Sequence, residues 1–353
     1  MSEPRYRSEA LVGFARALLG GVGLADDRAA VVAEILVEGD LLGHTTHGLD
    51  LLARYLDQID KGKMAKAGDP EVLADHGASL TWDGHYLPGP WLVRQAIAAA
   101  SARLANHPSV TAVIRRSHHI GCLQAYLKPV TDSGRLILLT CSDPSAAGVA
   151  PHGGVASRIT PNPIAFGFPT GGDPVLIDIS SSTTTNAMSK RVFDEGGRLP
   201  GEWLVDAKGN ATDDPAVLFG AEPGAVLPLG GLDLGHKGFA LALIVEALTS
   251  GLAGHGRADA PGNWGASVYL QIIDPERFGG RAAFAREMDR LAALCRTAPV
   301  APGQPPVRLP GQAALEKRAR QLREGVALHA RILPALTAWA ERLGLAVPAP
   351  TAS

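Results

Sequence analysis

The sequence lacks the short motifs that identify many nucleotide-binding enzymes. No G-x-G-x-x-G follows a strand-like segment, which excludes a Rossmann fingerprint, and no G-x-x-x-x-G-K-[ST] indicates a P-loop. The G-x-S-x-G of an α/β-hydrolase is also missing. If a dinucleotide binds, a different backbone arrangement must therefore hold it.

Cysteine, net charge and long apolar runs are scarce. The three cysteines lie far apart in no C-x-x-C pair, which predicts unpaired thiols in a reducing cytoplasm. A formal net charge of -2 gives no field that would recruit nucleic acid or an anionic membrane. Residues 1–7 are polar without a signal-peptide run, and an acidic residue interrupts the apolar stretch near residues 239–248. We therefore expect a cytoplasmic protein with neither nucleic acid nor membrane as partner.

What is present indicates a folded chain of about two domains. Of the 353 residues, 46% are hydrophobic and 19% are charged. Periodicity predicts helices in the first ~60 residues and short buried strands separated by Gly, Pro and Asp after residue 68. The predicted strands are residues 110–114, 136–140, 175–179 and 267–273, and the later helices are residues 91–104, 239–252, 313–324 and 334–343. We predict a helical domain of residues 1–70 plus 299–353 and a cofactor-binding and catalytic α/β domain of residues 71–298.

The densest polar cluster surrounds His47. A helix from residue 45 or 46 to residue 59 would place His47, Asp50, Leu51 and Arg54 on one face. An imidazole can deliver a proton near neutral pH, and Asp50 could orient it or pair with Arg54. Partly solvated histidines on a capped helix are the simpler alternative. A metal site would use Glu38, Asp40, His44 and His47, whose spacing matches no common zinc pattern.

Further polar groups follow the predicted strands. Ser117, His118 and His119 come after the strand at residues 110–114, where they either line a site or form an exposed loop. Asp178 ends another strand and precedes a row of hydroxyls, a pattern that suits a ribose and phosphates or a simple turn. Lys237 would start an apolar helix, where it opposes the helix dipole unless an anion lies between them.

Taken in order, these motifs resemble the malate / L-lactate / L-sulfolactate / ureidoglycolate dehydrogenase family. This family is distinct from Rossmann-type dehydrogenases and includes piperideine-2-carboxylate and diketogulonate reductases. Its D-x-x-G-x-x-S-H-G motif corresponds to Asp40, Gly43, Thr46, His47 and Gly48, and its S-N-H-F-G motif corresponds to Ser117–Gly121. Of its G-T-N-P motif, the Asn162–Pro163 half is kept. Its D-x-A-T-S motif corresponds to Asp178–Ser182, and its K-G motif corresponds to Lys237–Gly238. The resemblance runs from about residue 40 to residue 344.

The resemblance implies an α/β, non-Rossmann NAD(P)-dependent dehydrogenase fold with a large mixed or antiparallel sheet and flanking helical segments from both termini. It also implies a homodimer without a metal. It places His47 against the substrate and His119 near the reacting carbon. We predict Thr46 and Asp50 as further catalytic residues that orient the imidazole, and Arg54 and Ser117 as substrate-binding residues. The cofactor, NAD or NADP, would contact Ser142, Asn162, Asp178, Ser180, Ser181, Ser182, Thr183, His236, Lys237, Gly311 and Gln312.

One departure affects the substrate. Family members often carry arginine where this chain has Leu51, and Arg54, one turn further on, is the expected substitute for a carboxylate contact. We expect a hydride transfer to or from the α-carbon of a small 2-oxo, 2-hydroxy or cyclic imino acid, with His47, or secondarily His119, as proton donor. The alternatives are a catalytically inactive ligand-binding or assembly homologue and a metal-dependent hydrolase using His44 and His47.

Overall fold

A computed structural model describes residues 4–351, and a seven-stranded sheet forms its centre. The strand order is β2-β3-β4-β11-β5-β6-β7, and all neighbours are antiparallel except β3 and β4. The strands are β1 (Arg5–Tyr6), β2 (Glu71–Asp75), β3 (Ser79–Asp83), β4 (Ser109–Ser117), β5 (Leu136–Ser142), β6 (Ile164–Phe168), β7 (Val175–Ile179), β8 (Leu204–Val205), β9 (Ala211–Thr212), β10 (Ala225–Val226), β11 (Ala266–Ile273) and β12 (Val326–Ala327).

The helices belong mainly to the two ends of the chain and to the connections of the sheet. They are α1 (Ser8–Gly21), α2 (Asp26–Leu42), α3 (Leu52–Asp60), α4 (Gly89–Arg103), α5 (Leu127–Thr131), α6 (Asn186–Asp194), α7 (Gly231–Glu246), α8 (Arg281–Arg296), α9 (Gln312–Glu324) and α10 (Ile332–Leu343). Among residues 4–351, no helix combines the length and the hydropathy that a bilayer span needs.

The order of the strands explains why the sheet is mixed. β3 and β4 are parallel, so the chain must cross over between them, and α4 makes this crossover. β11 arrives late in the chain but lies in the middle of the sheet between β4 and β5. Its residues are almost all buried, as expected for a strand covered on both faces. The predicted large mixed sheet and the four predicted strands are confirmed.

A second hydrophobic core joins the two ends of the chain. It contains α1, most of α2, α3 and the inner face of α10, and β1 pairs with β12 at its edge. The terminal segments predicted to form a helical domain thus pack together, while α9 packs against α2. The domain boundaries themselves stay a prediction.

The predicted helix from residue 45 to residue 59 is wrong at its beginning. A turn occupies residues 44–48, a short 3₁₀ segment covers Leu49–Leu51, and α3 begins only at Leu52. The cause is the buried carboxylate of Asp40, which accepts the Leu49 backbone N–H at 2.7 Å. A Cβ on Gly48 would overlap this carboxylate, so glycine is required there. His47 therefore lies on a turn and not on the helix face that carries Arg54.

The apolar helix near Lys237 also differs from its prediction. α7 begins at Gly231, after Gly230 with φ of 103°, so Lys237 lies in its second turn and not at its start. The glycine-rich segment can be helical because Gly238 packs against the Leu229 backbone so closely that a Cβ would overlap it. Past Glu246 the helix continues as a single π-helical turn.

The buried Asp40 generates a prediction about stability. Burial raises the pKa of this carboxyl to about 7, although the Leu49 N–H opposes the shift. The pKa of this carboxyl is lower in the unfolded chain, so the folded state binds its proton more tightly. The free energy of unfolding therefore decreases as pH rises from about 4 through 7. We expect Asp40→Asn to remove a pH-dependent loss on the order of 3 kcal/mol over this range in urea unfolding. An unchanged slope in the variant would contradict the buried-acid assignment.

Candidate active site

Four planar side chains form a column beside the sheet. The rings of His47 and His119 are stacked with centroids 6.0 Å apart and an interplanar angle of 28°. The Trp264 indole stacks on His119 at 4.8 Å and 26°. The Arg54 guanidinium lies over the Trp264 ring at 3.4 Å. Two imidazoles, an indole and a cation thus meet from three separate parts of the chain.

His119 is held by two groups on its Nδ1 side. The Gly121 backbone N–H donates to Nδ1 at 3.2 Å, and the Tyr55 hydroxyl lies 2.9 Å from both Nδ1 and the His119 carbonyl oxygen. A backbone N–H can only donate, so Nδ1 must be the accepting nitrogen of the neutral ring. With Gly121 donating, the proton of neutral His119 is on Nε2, whereas a ring protonated on Nδ1 would donate that proton to the Tyr55 hydroxyl, which can itself donate to the His119 carbonyl.

His47 is supported by its neighbour Thr46 and not by Asp50. The Thr46 hydroxyl lies 3.0 Å from His47 Nδ1. Asp50 instead accepts from Arg331 Nε at 2.8 Å and from Arg191 at 3.2 Å. Neither His47 nor Arg54, the two partners predicted for Asp50, forms a hydrogen bond with it in the structure. Since α3 begins only after it, Asp50 faces α6 and the start of α10.

The imidazoles lie in surroundings that disfavour a positive charge. Burial lowers the pKa of His47 to about 4 and that of His118 to about 3. The pKa of His119 is also well below its usual range, first through burial and then through His47, His118 and Arg54. The protein alone therefore holds all three rings neutral at pH 7. A negative charge brought close to them would raise these pKa values.

Arg54 is the cation of this site without an acidic partner. No hydrogen bond or ion pair joins it to a carboxylate among residues 4–351, and its pKa is lowered first by burial. Arg191, whose charge also reaches His47, is buried and is paired with Asp50. The predicted substrate residue Ser117 is fully buried, and its hydroxyl donates to the His118 carbonyl at 2.8 Å.

The predicted cofactor segments are neighbours of this column. Asp178, at the end of β7, accepts the Gln124 backbone N–H at 2.9 Å, and the Gln124 side chain reaches His44 Nε2 at 2.9 Å. His44 belongs to the same turn as His47, whose backbone N–H it accepts. Burial raises the pKa of Asp178. The turn that carries His47 is thus tied directly to the end of β7.

The hydroxyls in the row after Asp178 bond backbone carbonyls, two within their own loop and two in the neighbouring segments at Pro161 and Trp203. Each of the four hydroxyls donates to a backbone carbonyl at 2.7 to 2.9 Å, and these residues are Ser180, Ser181, Ser182 and Thr183. Leu229 N–H donates to the Ser181 carbonyl, which places the α7 segment against this loop. His236 and Lys237 are exposed on α7.

The other predicted cofactor residues lie in two settings. Ser142 and Asn162 are buried: Ser142 bonds the hydroxyl of Thr249 at 2.8 Å, and Asn162 donates to the Ala242 carbonyl at 3.1 Å. Gly311, with φ of 88°, precedes α9 and packs on Leu176 of β7, while Gln312 bonds Glu316 at 3.0 Å. Ser142 and Asn162 therefore support the α7 side of the site from within.

The sequence matches the malate/L-lactate dehydrogenase family over residues 6–337. The chain belongs to this family. It is 31% identical to an L-lactate dehydrogenase of Cupriavidus necator, with 95% of this chain and 96% of that protein covered. It is 29% identical to a Delta(1)-pyrroline-2-carboxylate reductase of Ancylobacter novellus, with coverage of 97% and 99%. A dehydrogenase structure from Sinorhizobium meliloti superimposes with a TM-score of 0.83 at 31% identity, covering 96% and 98%.

This family member is an oxidoreductase of the 2-hydroxyacid dehydrogenase type. Its relatives are dehydrogenases and reductases that match nearly the whole chain, which supports an enzyme over the alternative of an inactive binding homologue. The residues of the alternative metal site do not converge, because Glu38 pairs with Arg318 and Asp40 is buried under Gly48. Within residues 4–351, the group with metal-like spacing is His44, Cys122 and Asp178, which excludes His47.

Several residues of this family site were not found from the sequence. Tyr55, Trp264, Arg191 and Arg331 carry no short motif, and Trp264 comes from the loop before β11. The one signal for Tyr55 in the sequence is a tyrosine among the apolar helix positions eight residues after His47. The structure buries it fully and gives its hydroxyl a polar partner in His119. The other three reach the site only through tertiary packing.

His118, the residue before His119 in the segment after β4, generates a second prediction. The ring is fully buried, and neither nitrogen has a hydrogen-bond partner in the described part of the chain. Its folded pKa lies below the unfolded value, so it opposes folding as pH falls from 6.5 through about 3. When pH falls from 7 to 5, we expect the free energy of unfolding to decrease by about 2 kcal/mol less in His118→Asn than in the parent, as measured by urea unfolding. Equal losses in both proteins would show that His118 does not titrate in this way.

Proposed function

We propose that this enzyme transfers a hydride between NAD or NADP and the α-carbon of a small 2-oxo, 2-hydroxy or cyclic imino acid. The observation that carries the proposal is the column of His47, His119, Trp264 and Arg54, in which an oriented imidazole lies near an unpaired cation. The names of the relatives, a lactate dehydrogenase and a pyrroline-carboxylate reductase, support both kinds of acid.

The donors around β7 fit a pyridine dinucleotide. α7 and α9 each begin after a glycine in the left-handed region without a side-chain cap. The first N–H of each helix already donates, from Gly231 to the Pro228 carbonyl and from Gln312 to the Leu309 carbonyl, so the next N–H groups of the two first turns are the ones that phosphate oxygens could accept. Asp178 uses Oδ2 for the Gln124 amide, and its other oxygen suits a ribose hydroxyl. Lys237 supplies a positive charge. A reduced nicotinamide, when bound, supplies the hydride.

Arg54 would hold the carboxylate of the substrate. Its guanidinium is stacked on an indole face, so its N–H groups point sideways and can bind a carboxylate through two parallel hydrogen bonds. The negative charge would also offset the burial that keeps His119 neutral, because an anion nearby favours the protonated ring. Substrate binding and protonation of the imidazole are therefore coupled.

His119 would deliver the proton to the substrate oxygen or nitrogen. The sequence favours His47, but the geometry favours His119, because Gly121 and Tyr55 fix its Nδ1 and leave Nε2 for the substrate. The ring also lies next to Trp264, on the Arg54 side of the column. The proton donor is the imidazolium that the bound carboxylate favours: it gives its Nε2 proton to the substrate and keeps its Nδ1 proton, which donates to the Tyr55 hydroxyl. In the direction of oxidation, Nε2 of this Nδ1-protonated ring would accept the proton. His47 and Thr46 would support this ring from its other side.

The test is a panel of 2-oxo acids, with and without amine, assayed with NADH and with NADPH. We expect turnover with one class of acid, and we expect His119→Asn to lower kcat by about 10²–10⁴-fold while reduced-cofactor fluorescence still reports binding. His76→Asn is the matched control, since His76 is an exposed histidine of the β2–β3 turn. Absence of cofactor binding, or near-normal turnover of His119→Asn, would refute the corresponding part of the proposal.

We also propose that the enzyme is a homodimer that uses the outer face of α7. Leu243 and Ile244 are 50% and 51% exposed, and Leu232, Leu234 and Leu252 on the same helix and its continuation are similarly exposed. A contiguous apolar surface of this kind marks an interaction site. The cytoplasmic location of the protein also remains a prediction.

Sedimentation equilibrium tests the dimer. We expect the parent to sediment as a dimer and Leu243→Glu/Ile244→Glu to sediment as a monomer, because two buried carboxylates without partners disfavour association. Leu322→Glu, at an exposed leucine of α9, is the control and should remain dimeric. A monomeric parent, or a dimer in the double variant, would contradict this assignment.

A further inference from the structure

Three side chains of metal-binding types meet beside the end of β7. They are His44, Cys122 and Asp178, and one ring nitrogen, the sulfur and one carboxylate oxygen lie within 4.8 Å of one another. The Cys122 thiol donates to Asp178 Oδ2 at 3.9 Å. The three residues come from the turn after α2, from the segment between β4 and α5, and from β7 itself. The cluster is therefore a product of the tertiary fold and not of a short sequence motif.

The chemistry of these three donors suits a zinc ion. Zinc binds thiolate sulfur, imidazole nitrogen and carboxylate oxygen, and three protein ligands with one water molecule complete a tetrahedral site. Ligand atoms in such a site are about 3.5 Å apart. The distance from the Cys122 sulfur to Asp178 is close to this value, and the third ligand atom has to approach by no more than about 1.3 Å. Rotation of the half-buried His44 side chain can supply this movement.

A neighbouring residue already orients two of the three ligands. The Gln124 backbone N–H donates to Asp178 Oδ2 at 2.9 Å, and the Gln124 side-chain oxygen lies 2.9 Å from His44 Nε2. The Gln124 side chain is itself fixed, because its amide nitrogen donates to the buried Leu176 carbonyl at 2.9 Å. Hydrogen bonds of this kind hold the ligands of protein metal sites in place. The cluster thus has its support before an ion binds.

Access and charge also favour an ion. Cys122 is 2% exposed, whereas His44 and Asp178 are half-buried, so an ion can enter from the side of these two residues. Binding would release the thiol proton of Cys122 to solvent. The resulting thiolate and the Asp178 carboxylate together offset the two positive charges of the ion, which a largely buried site requires.

Asp178 has a second use in this enzyme. One of its oxygens is the acceptor proposed above for a ribose hydroxyl of the dinucleotide. A zinc ion on this carboxylate would withdraw negative charge from both oxygens and would bring a water ligand to the same group. Each change makes the carboxylate a poorer partner for the ribose. The ion and the cofactor would therefore oppose each other at Asp178.

We propose that His44, Cys122 and Asp178 form an inhibitory zinc site, at which the ion weakens binding of the dinucleotide. The enzyme does not use this ion in its reaction, and the hydride and proton steps are those given above. The site itself follows from the three side chains. Its inhibitory effect rests on the proposed function, because that function assigns Asp178 to the cofactor.

The first experiment measures metal binding without catalysis. The purified enzyme is freed of metal with a chelator, dialysed and titrated with Zn²⁺ in a calorimeter, and Co²⁺ is used in parallel as a spectroscopic probe. We expect one Zn²⁺ per chain and, for Co²⁺, a thiolate-to-metal charge-transfer band in the near ultraviolet. This band reports a bound cysteine, which the column of His47, His119, Trp264 and Arg54 cannot supply.

Single substitutions assign the ion to its ligands. We expect Cys122→Ser to weaken Zn²⁺ binding at least about tenfold and to abolish the cobalt charge-transfer band, because a neutral hydroxyl is a poor substitute for a thiolate. His44→Gln replaces the imidazole by an amide that can still bond Gln124, and it should weaken Zn²⁺ binding by a similar factor. It gives the same test if Cys122→Ser is unstable. Cys295→Ser is the matched control, because Cys295 is a half-buried thiol of α8.

The second experiment measures the effect of the ion on the cofactor. Reduced-cofactor fluorescence gives the Kd of NADH or NADPH. We expect saturating Zn²⁺ to raise this Kd at least about fivefold in the parent and in Cys295→Ser, the scale of coupling usual between two linked ligands. Cys122→Ser should keep the parent's affinity for the cofactor, and the same concentration of Zn²⁺ should leave that affinity unchanged.

The outcomes separate the zinc site from the proposed function. Equal Zn²⁺ affinity of the parent and Cys122→Ser, or a cobalt complex without the thiolate band, would overturn the site. If Zn²⁺ binds at these residues but leaves the Kd of the cofactor unchanged, the inhibitory role is overturned. If neither cofactor binds in the absence of metal, the proposed function fails, and the cobalt spectrum still decides whether the zinc site exists.

Discussion

The site depends on one buried hydrogen bond, between the Asp40 carboxylate and the Leu49 backbone amide. α2 ends at its C-cap Gly43, whose φ of 95° is left-handed, and the bond then holds the following turn against α2 with Gly48 on the Asp40 carboxylate. The turn carries His47, which stacks against His119 from the end of β4. The carboxylate of Asp40 thus fixes the segment that brings one of the two imidazoles to the other.

Much of the fold was predictable because its strands are short, apolar and bounded by Gly, Pro or Asp. The strand at residues 175–179 and the helix that ends at Glu324 match their predictions almost residue for residue. Two other predictions failed at glycines, because periodicity does not show which glycines make close contacts. At Gly48 a close contact with Asp40 lies in a turn and the helix begins only at Leu52, and at Gly238 a close contact with Leu229 lies inside a helix that begins before its apolar run.

The site was predictable only where its residues carry motifs. His47, His119, Arg54 and Asp178 stand out by residue type and by their order along the chain. Trp264, Arg191 and Arg331 do not, because nothing in their local sequence indicates that they reach a histidine or Asp50. Tertiary packing decides which residue pairs with a charged side chain. Asp50 therefore pairs with two arginines from distant helices and not with His47 or Arg54, as the sequence predicts.

The ion pairs of Asp50 also constrain when the site can form. Asp50 and Arg331 are 281 residues apart in the chain, and β1 near the start pairs with β12 near the end. Contacts of such high sequence separation form late in folding. During synthesis, a nascent chain that already contains both histidines still lacks the arginine and the strand that lock the terminal segments together. The carboxylate of Asp50 therefore lacks its Arg331 partner until the chain has been made as far as the start of α10.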